Sequence, residues 1–257
     1  MRIAVCVAAV PNPENVKWDR FRALLDVESA EPVLNPVDRH ALELAAALAK
    51  QTGSSFDAVC VGFGASAALR EAAVFGAQRL IAIADDTLAT ADEAGVATAL
   101  SAALKHLGGA DVIFCGNSTA SYGSGAVPGY VSTHLDAALL VDALGTEVVD
   151  GHTTVTVLGP GAPAEIALAL PAVITAAPFG IRVRAISPLL LMKAAKKSIE
   201  TLSLSDIGCE LPLPTTGATD GALESARTKK GMEIVEGADA TTRAITLVAA
   251  LRDKQAV

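Results

Sequence analysis

Apolar residues arrive in this chain as short runs with hydrophobic side chains on both faces, separated by segments of helical spacing. Residues 3–9 are β-branched or small throughout, which predicts a strand buried on both sides, as in a parallel sheet. Residues 56–62, 80–83, 111–115 and 170–176 repeat that character. Between them, Ala41, Leu42, Ala45, Leu48 and Ala49 recur at intervals of three and four, the stripe of a helix that packs one face on a core. That helix is expected to start near Pro36, with Asn35 as its cap. Further helices are expected over residues 67–75, stopped by Gly76, and over 89–107, 130–140 and 238–252. Residues 12–33 read as a loop or short hairpin around Trp18.

Strands and helices of these lengths, in alternation, require crossovers, so parallel pairing is the economical arrangement. The second half changes character. Residues 146–149 and 153–158 flank Gly151-His152 as an antiparallel hairpin, and 165–170 add a strand to it. The expected fold is α/β: a mostly parallel, Rossmann-like sheet flanked by helices, with a hairpin extension and a long C-terminal wrapping tail. Residues 1–200, including the hairpin near 146–170, form the expected nucleotide-binding domain. Residues 201–257 are an extension wrapping another surface, its own or a partner's.

Composition narrows the function classes. The 257 residues carry 28 acidic and 20 basic side chains, a net charge of −8, and only 4% are aromatic. That balance disfavours a nucleic-acid surface, which needs a basic footprint or stacking platforms. No run reaches the roughly 20 apolar residues of a membrane span, and residues 11–14 interrupt the first apolar run before a signal-peptide pattern forms. A cytoplasmic location is the expectation. Cys6, Cys60 and Cys115 lie in apolar runs and read as buried thiols; with Cys209 they show no metal spacing. His40, His106, His134 and His152 show neither metal spacing nor an acid–nucleophile pattern.

The most informative segment is residues 116–129, where a strand ends in a small, polar, glycine-rich loop that opens a helix. Glycines admit close backbone approach, and amides with the hydroxyls of Ser121 and Ser124 suit phosphate oxygens. The loop matches neither the dinucleotide G-x-G-x-x-G fingerprint nor the P-loop, and a plain connection between packed elements is the bland alternative. A second surface comprises Asn35-Pro36-Val37-Asp38, the end of the first strand at residues 6–10, and the end of the second at Val61-Gly62. These follow successive strand ends and converge on one crevice if the sheet is parallel. For Asn35 simple helix capping competes with ligand contact.

With these residues in order the chain resembles the β subunit of electron transfer flavoproteins, the FixA/EtfB-like family. The likeness runs through the first strand, Asn35-Pro36, Phe75-Gly76-Ala77, residues 111–129, Leu170-Pro171-Ala172-Val173-Ile174-Thr175, residues 187–200 and Arg227-Thr228-Lys229-Lys230-Gly231. It implies a heterodimer with an α subunit that holds the redox FAD, with the β subunit burying AMP. It also implies electron transfer from a dehydrogenase to a quinone oxidoreductase or another acceptor, with no turnover by this chain alone. The C-terminal extension would pack on the partner subunit. The cofactor site carried over comprises Cys6, Asn35, Pro36, Val37, Asp38, Val61, Gly116, Asn117, Ser118, Thr119, Ser121, Gly123, Ser124, Gly125, Ala126 and Val127. Partner recognition falls on Arg184, Pro188, Leu189, Met192 and Lys193.

Two departures accompany the likeness. The family loop usually has Asp at the positions of Ser121 and Gly123 and Gln at Ala126, which leaves AMP, a second FAD or an empty site as alternatives. Ile181-Arg182-Val183-Arg184 stands where Asn-Glu-Pro-Arg is common, which implies a dehydrogenase outside the acyl-CoA enzymes. A stand-alone adenine-nucleotide-dependent enzyme and a degenerate subunit without nucleotide are the competing readings.

Overall fold

The computed structural model describes residues 1–19, 24–26, 29–120, 123–149, 152–159, 161–212 and 234–253. In chain order its strands and helices are β1 (Ile3–Val7), β2 (Ala9–Pro11), β3 (Lys17–Asp19), β4 (Leu24–Asp26), β5 (Pro32–Leu34), α1 (Asp38–Thr52), β6 (Phe56–Val61) and α2 (Ala65–Ala72). They continue with β7 (Leu80–Ile83), α3 (Glu93–His106), β8 (Val112–Gly116), α4 (Val127–His134), β9 (Ala138–Val149), β10 (His152–Val157), β11 (Ala164–Ala167) and β12 (Ala172–Ala176). The last are α5 (Pro188–Ala194), β13 (Glu200–Leu202) and α6 (Ala240–Asp253).

One sheet of nine strands organises the first unit, in the order β11-β10-β9-β12-β8-β1-β6-β7-β13. From β9 to β13 every neighbouring pair is parallel, and β10 and β11 extend the β9 edge antiparallel. This is the expected mostly parallel sheet with its hairpin extension. The two-sided burial of its strands explains their unbroken apolar runs. Val5, Val7, Phe56, Cys60 and Phe114 pack with Leu42, Leu48 and Leu69 of α1 and α2. Their alternates Ala4, Cys6, Val59, Ile113 and Cys115 pack with Leu100, Leu104 and Val131 of α3 and α4. Each fully buried leucine or phenylalanine contributes about 1.5–3 kcal/mol, so these two layers hold the helices against both faces of the sheet.

Several local expectations change. The helix expected over 130–140 ends at His134; Asp136 takes φ 49°, and residues from Ala138 onward pair with β12, Leu139 opposite Val173 and Leu140 opposite Ile174. A short apolar run is ambiguous between helix and strand, and here the vacant place beside β12 decides it. The helix expected over 89–107 begins at Glu93, because Asp92 accepts from the Gly95 amide at 2.9 Å and caps it there. The strand expected over 165–170 is Ala164–Ala167. Beyond α5, Glu200–Leu202 enters the sheet as an edge strand on β7, and Leu204 and Ile207 join the second core layer.

The first compact unit spans Met1–Ala222 and a second spans Leu223–Val257. In the second, α6 presents Ile245, Leu247 and Val248 to the surface. The Arg227–Gly231 motif, with residues 213–233 and 254–257 of the expected wrapping segment, lies outside the described residues. Among the described residues no helix is long and apolar enough to cross a membrane.

Candidate functional site

Because β8, β1 and β6 are adjacent and parallel, their carboxyl ends at Gly116, Val7 and Val61 lie side by side on one edge of the sheet. Loops from these ends and the start of α1 converge there, as the strand-end spacing predicts. The knot of this crevice is Asp38. Its side chain is buried, Oδ2 accepts from the Ala8 amide at 2.7 Å, and Oδ1 accepts from Asn35 Nδ2 at 3.0 Å. Burial pushes the Asp38 carboxyl up to about 7, opposed by the Ala8 amide, the Asn35 carboxamide and the Gly116 amide, whose hydrogen bonds favour the charged form.

Asn35 does not cap α1. The position before that helix is Val37, which has helical dihedrals and makes no side-chain cap. Asn35 is fully buried and instead reaches across the crevice: Nδ2 donates to Ser118 O at 2.9 Å, and Oδ1 accepts from the Ala120 amide at 3.1 Å. One carboxamide therefore clamps the β8 loop to the start of α1 over 83 residues of sequence. Pro36 is exposed and Val37 half-buried beside it.

Two glycines are fixed by space rather than by flexibility alone. A Cβ on Gly116 would stand 2.2 Å from Asp38 Oδ1, so only glycine lets the strand end pass the carboxylate. Gly125 has φ +64°, and a Cβ there would stand 2.2 Å from Asn117 O. The loop between them is internally braced. Gly123 N donates to Thr119 O at 2.9 Å, Ser118 Oγ donates to Asn117 Oδ1 at 3.2 Å, and Ser124 Oγ donates to Glu93. Ala126 and Val127 are half-buried and lead into α4. Ser121 lies outside the described residues.

The other nominated residues divide by face. Cys6 lies opposite Cys115 in the β1–β8 register, and both side chains are buried in the second core layer, so Cys6 meets the crevice through its backbone. Hydrogen bonding with Cys6, together with burial, holds the Cys115 thiol well above its ordinary range, and burial pushes Cys60 up to about 12. Such thiols are unreactive. Val61 is half-buried, with Gly62 N donating to Ile83 O at 2.9 Å. No group of three His, Cys, Asp or Glu side chains among the described residues has the geometry to hold a metal. A separate cavity of about 490 Å³, lined by Thr98, Ser101, Lys105, His134 and Cys209, takes none of its lining from the strand-end loops.

The nominated recognition residues form a second surface. Arg184 Nε and Nη2 donate to the two carboxylate oxygens of Glu43 at 2.8 and 2.6 Å, and the Arg184 amide adds a third bond at 2.8 Å. The guanidinium also lies over the Phe75 ring, 5.4 Å from its centroid. Burial alone would raise the Glu43 carboxyl, but Arg184 holds it below the ordinary range. His40 Nδ1, 3.0 Å from Ile181 O, ties the same loop to α1. Ser187 then caps α5, accepting from Leu190 N, and Pro188 occupies its first turn. Ala194 anchors α5 in the core, whereas Pro188, Leu189, Met192 and Lys193 are exposed, Leu189 by 61% and Met192 by 67%. Glu43, Glu93 and Asp142 went unnominated because their partners lie 25 to 141 residues away, which no local pattern reveals.

Comparison with known proteins matches these features to one family. The electron transfer flavoprotein domain model matches residues 24–207. The chain is similar to an electron transfer flavoprotein subunit beta of Thermoanaerobacterium thermosaccharolyticum, 31% identical over 53% of this chain and 52% of that one. It is also similar to a Protein FixA of Azorhizobium caulinodans, 32% identical over 46% and 44% of the two chains. An electron transfer flavoprotein subunit beta of Syntrophomonas wolfei is 33% identical over 66% and 67%. The chain thus spans about half the length of the first two relatives. It belongs to the electron transfer flavoprotein family, in the branch of β subunits and FixA proteins.

Proposed function

We propose that this chain is the β subunit of an electron transfer flavoprotein, paired with an α subunit that holds FAD, and that it carries an adenine nucleotide at its own strand-end crevice. The observation that carries the reading is the convergence of the β1, β6 and β8 ends around Asp38, Asn35 and the Gly116–Val127 loop. Among the described residues that crevice offers amides and hydroxyls, and its buried carboxyl, Asp38, is occupied by the Ala8 amide and the Asn35 carboxamide rather than presented to a ligand. Binding without turnover is the chemistry it supports. AMP is the expected occupant, with Gly116, Asn117, Ser118, Thr119, Gly123, Ser124, Gly125, Ala126 and Val127 around its phosphate side and Asn35 to Asp38, Cys6 and Val61 around the base.

FAD on the companion chain supplies the electron chemistry. Arg184 positions α5, whose exposed Leu189 and Met192, flanked by Lys193, meet a flavin-dependent dehydrogenase that donates electrons. A quinone oxidoreductase or comparable acceptor receives them. The complex is cytoplasmic and reaches any membrane acceptor from its surface. Coexpression with an α-type chain is expected to yield a 1:1 complex containing flavin. A β chain that stays unbound and flavin-free in that experiment rejects the assignment.

A further inference from the structure

Carboxylates from outside the strand-end loop engage its side-chain donors. Asn117 Nδ2 donates to Asp142 Oδ1 at 3.0 Å, and Ser124 Oγ donates to Glu93. Neither acid belongs to the loop: Asp142 lies on β9, and Glu93 is the first residue of α3. Both are held in place. Asp142 has φ 56° and its amide donates to Thr175 Oγ1 at 3.0 Å, so the backbone that carries the carboxylate is tied to β12. Glu93 stands in the first turn of α3, where the helix amides favour a negative side chain. The loop has no acid of its own at Gly123, and two acids flank it instead.

We propose that Glu93 and Asp142 set the charge of the ligand this crevice accepts, favouring an adenine nucleotide with one phosphate group over those with two or three. The inference rests on the nucleotide reading given above and adds its specificity. A phosphate oxygen that takes the Ser124 hydroxyl must displace the Glu93 carboxylate from it, and one that takes either Asn117 Nδ2 hydrogen lies beside the Asp142 carboxylate. Each further phosphate group adds to the repulsion, whereas the adenine end is unaffected. Ser124 is therefore a donor gated by Glu93, and Asp142 adds its charge beside Asn117.

Glu93→Gln and Asp142→Asn remove the charge and keep an acceptor oxygen for Ser124 and for Asn117. Asparagine also accepts the left-handed backbone at position 142. The measurement is equilibrium dialysis of AMP and ATP against the full-length protein in complex with its α subunit, with melting temperatures confirming that each variant is folded. Each substitution is expected to tighten ATP about 5- to 10-fold and AMP about 2- to 3-fold, with the ATP gain shrinking as salt is raised. The double variant should show the product of the two gains. If wild type binds AMP and both variants bind AMP and ATP with wild-type affinity, the gating role is overturned while the nucleotide site stands. If neither nucleotide binds wild type or any variant, the gate and the nucleotide reading fall together.

Discussion

Replacing Gly116 with alanine is expected to lower the unfolding free energy by about 3–5 kcal/mol and the melting temperature by about 10 °C. The cause is steric, not conformational. A Cβ at this position would stand 2.2 Å from Asp38 Oδ1, and the Asp38 backbone nitrogen is only 3.4 Å away. Neither neighbour yields cheaply, because Asp38 is the buried acceptor for the Ala8 amide and for Asn35. Relieving the clash means moving β8 off β1 or turning the carboxylate out of its three donors, and either leaves buried amides unpaired. Denaturant unfolding of the variant measures the loss. A change below about 1 kcal/mol, the level of an ordinary surface substitution, contradicts the packing described at this strand end.

The second large effect is a pH dependence. Asp38 in the folded chain titrates near 7, against 3.8 for an ordinary aspartate, because burial disfavours its charge. Between those values the folded chain keeps a proton that the unfolded chain has released. Its stabilising contribution is therefore full below about pH 4, is lost as the pH rises toward 7, and stays lost above. The move from 3.8 to about 7 corresponds to on the order of 4 kcal/mol. Asp38→Asn is neutral throughout. The stability of wild type relative to this variant is expected to fall from pH 5 to pH 8, read from urea unfolding curves across that range. Glu43 does not blur the result: Arg184 holds it below its ordinary range, so its contribution is lost only on the acid side as the pH falls. Parallel pH profiles for wild type and Asp38→Asn would show that the carboxyl is not desolvated as described.

Much of the frame was legible in the chain because burial on both faces leaves a mark. Residues 3–9, 56–62, 80–83, 111–115 and 170–176 hold β1, β6, β7, β8 and β12, and the crossovers between them forced the parallel edge on which the crevice forms. Expectations failed where a segment's state depends on a distant neighbour. Ala138 to Val141 is apolar enough for a helix or a strand, and pairing with β12 selects the strand. Glu200–Leu202 is too short to show a period, and becomes a strand only because β7 offers an open edge.

The site followed the same division. The glycine-rich loop and the Asn35–Asp38 segment were visible as breaks in pattern, but the role of Asn35 was not. A polar residue before a proline reads as a cap, whereas its bonds to Ser118 and Ala120 exist only once β1 and β8 lie together. Arg184 was visible as a retained basic residue, but its partner Glu43 sits within an otherwise ordinary helical stripe.

Whether an adenine nucleotide occupies the Asp38 crevice is settled most directly by purifying the native complex without added cofactor, denaturing it, and quantifying what is released per β chain. One equivalent of AMP beside one FAD from the α subunit is the predicted result. Flavin at one equivalent with no adenine nucleotide beyond it would mean that the crevice is an empty relic of the fold.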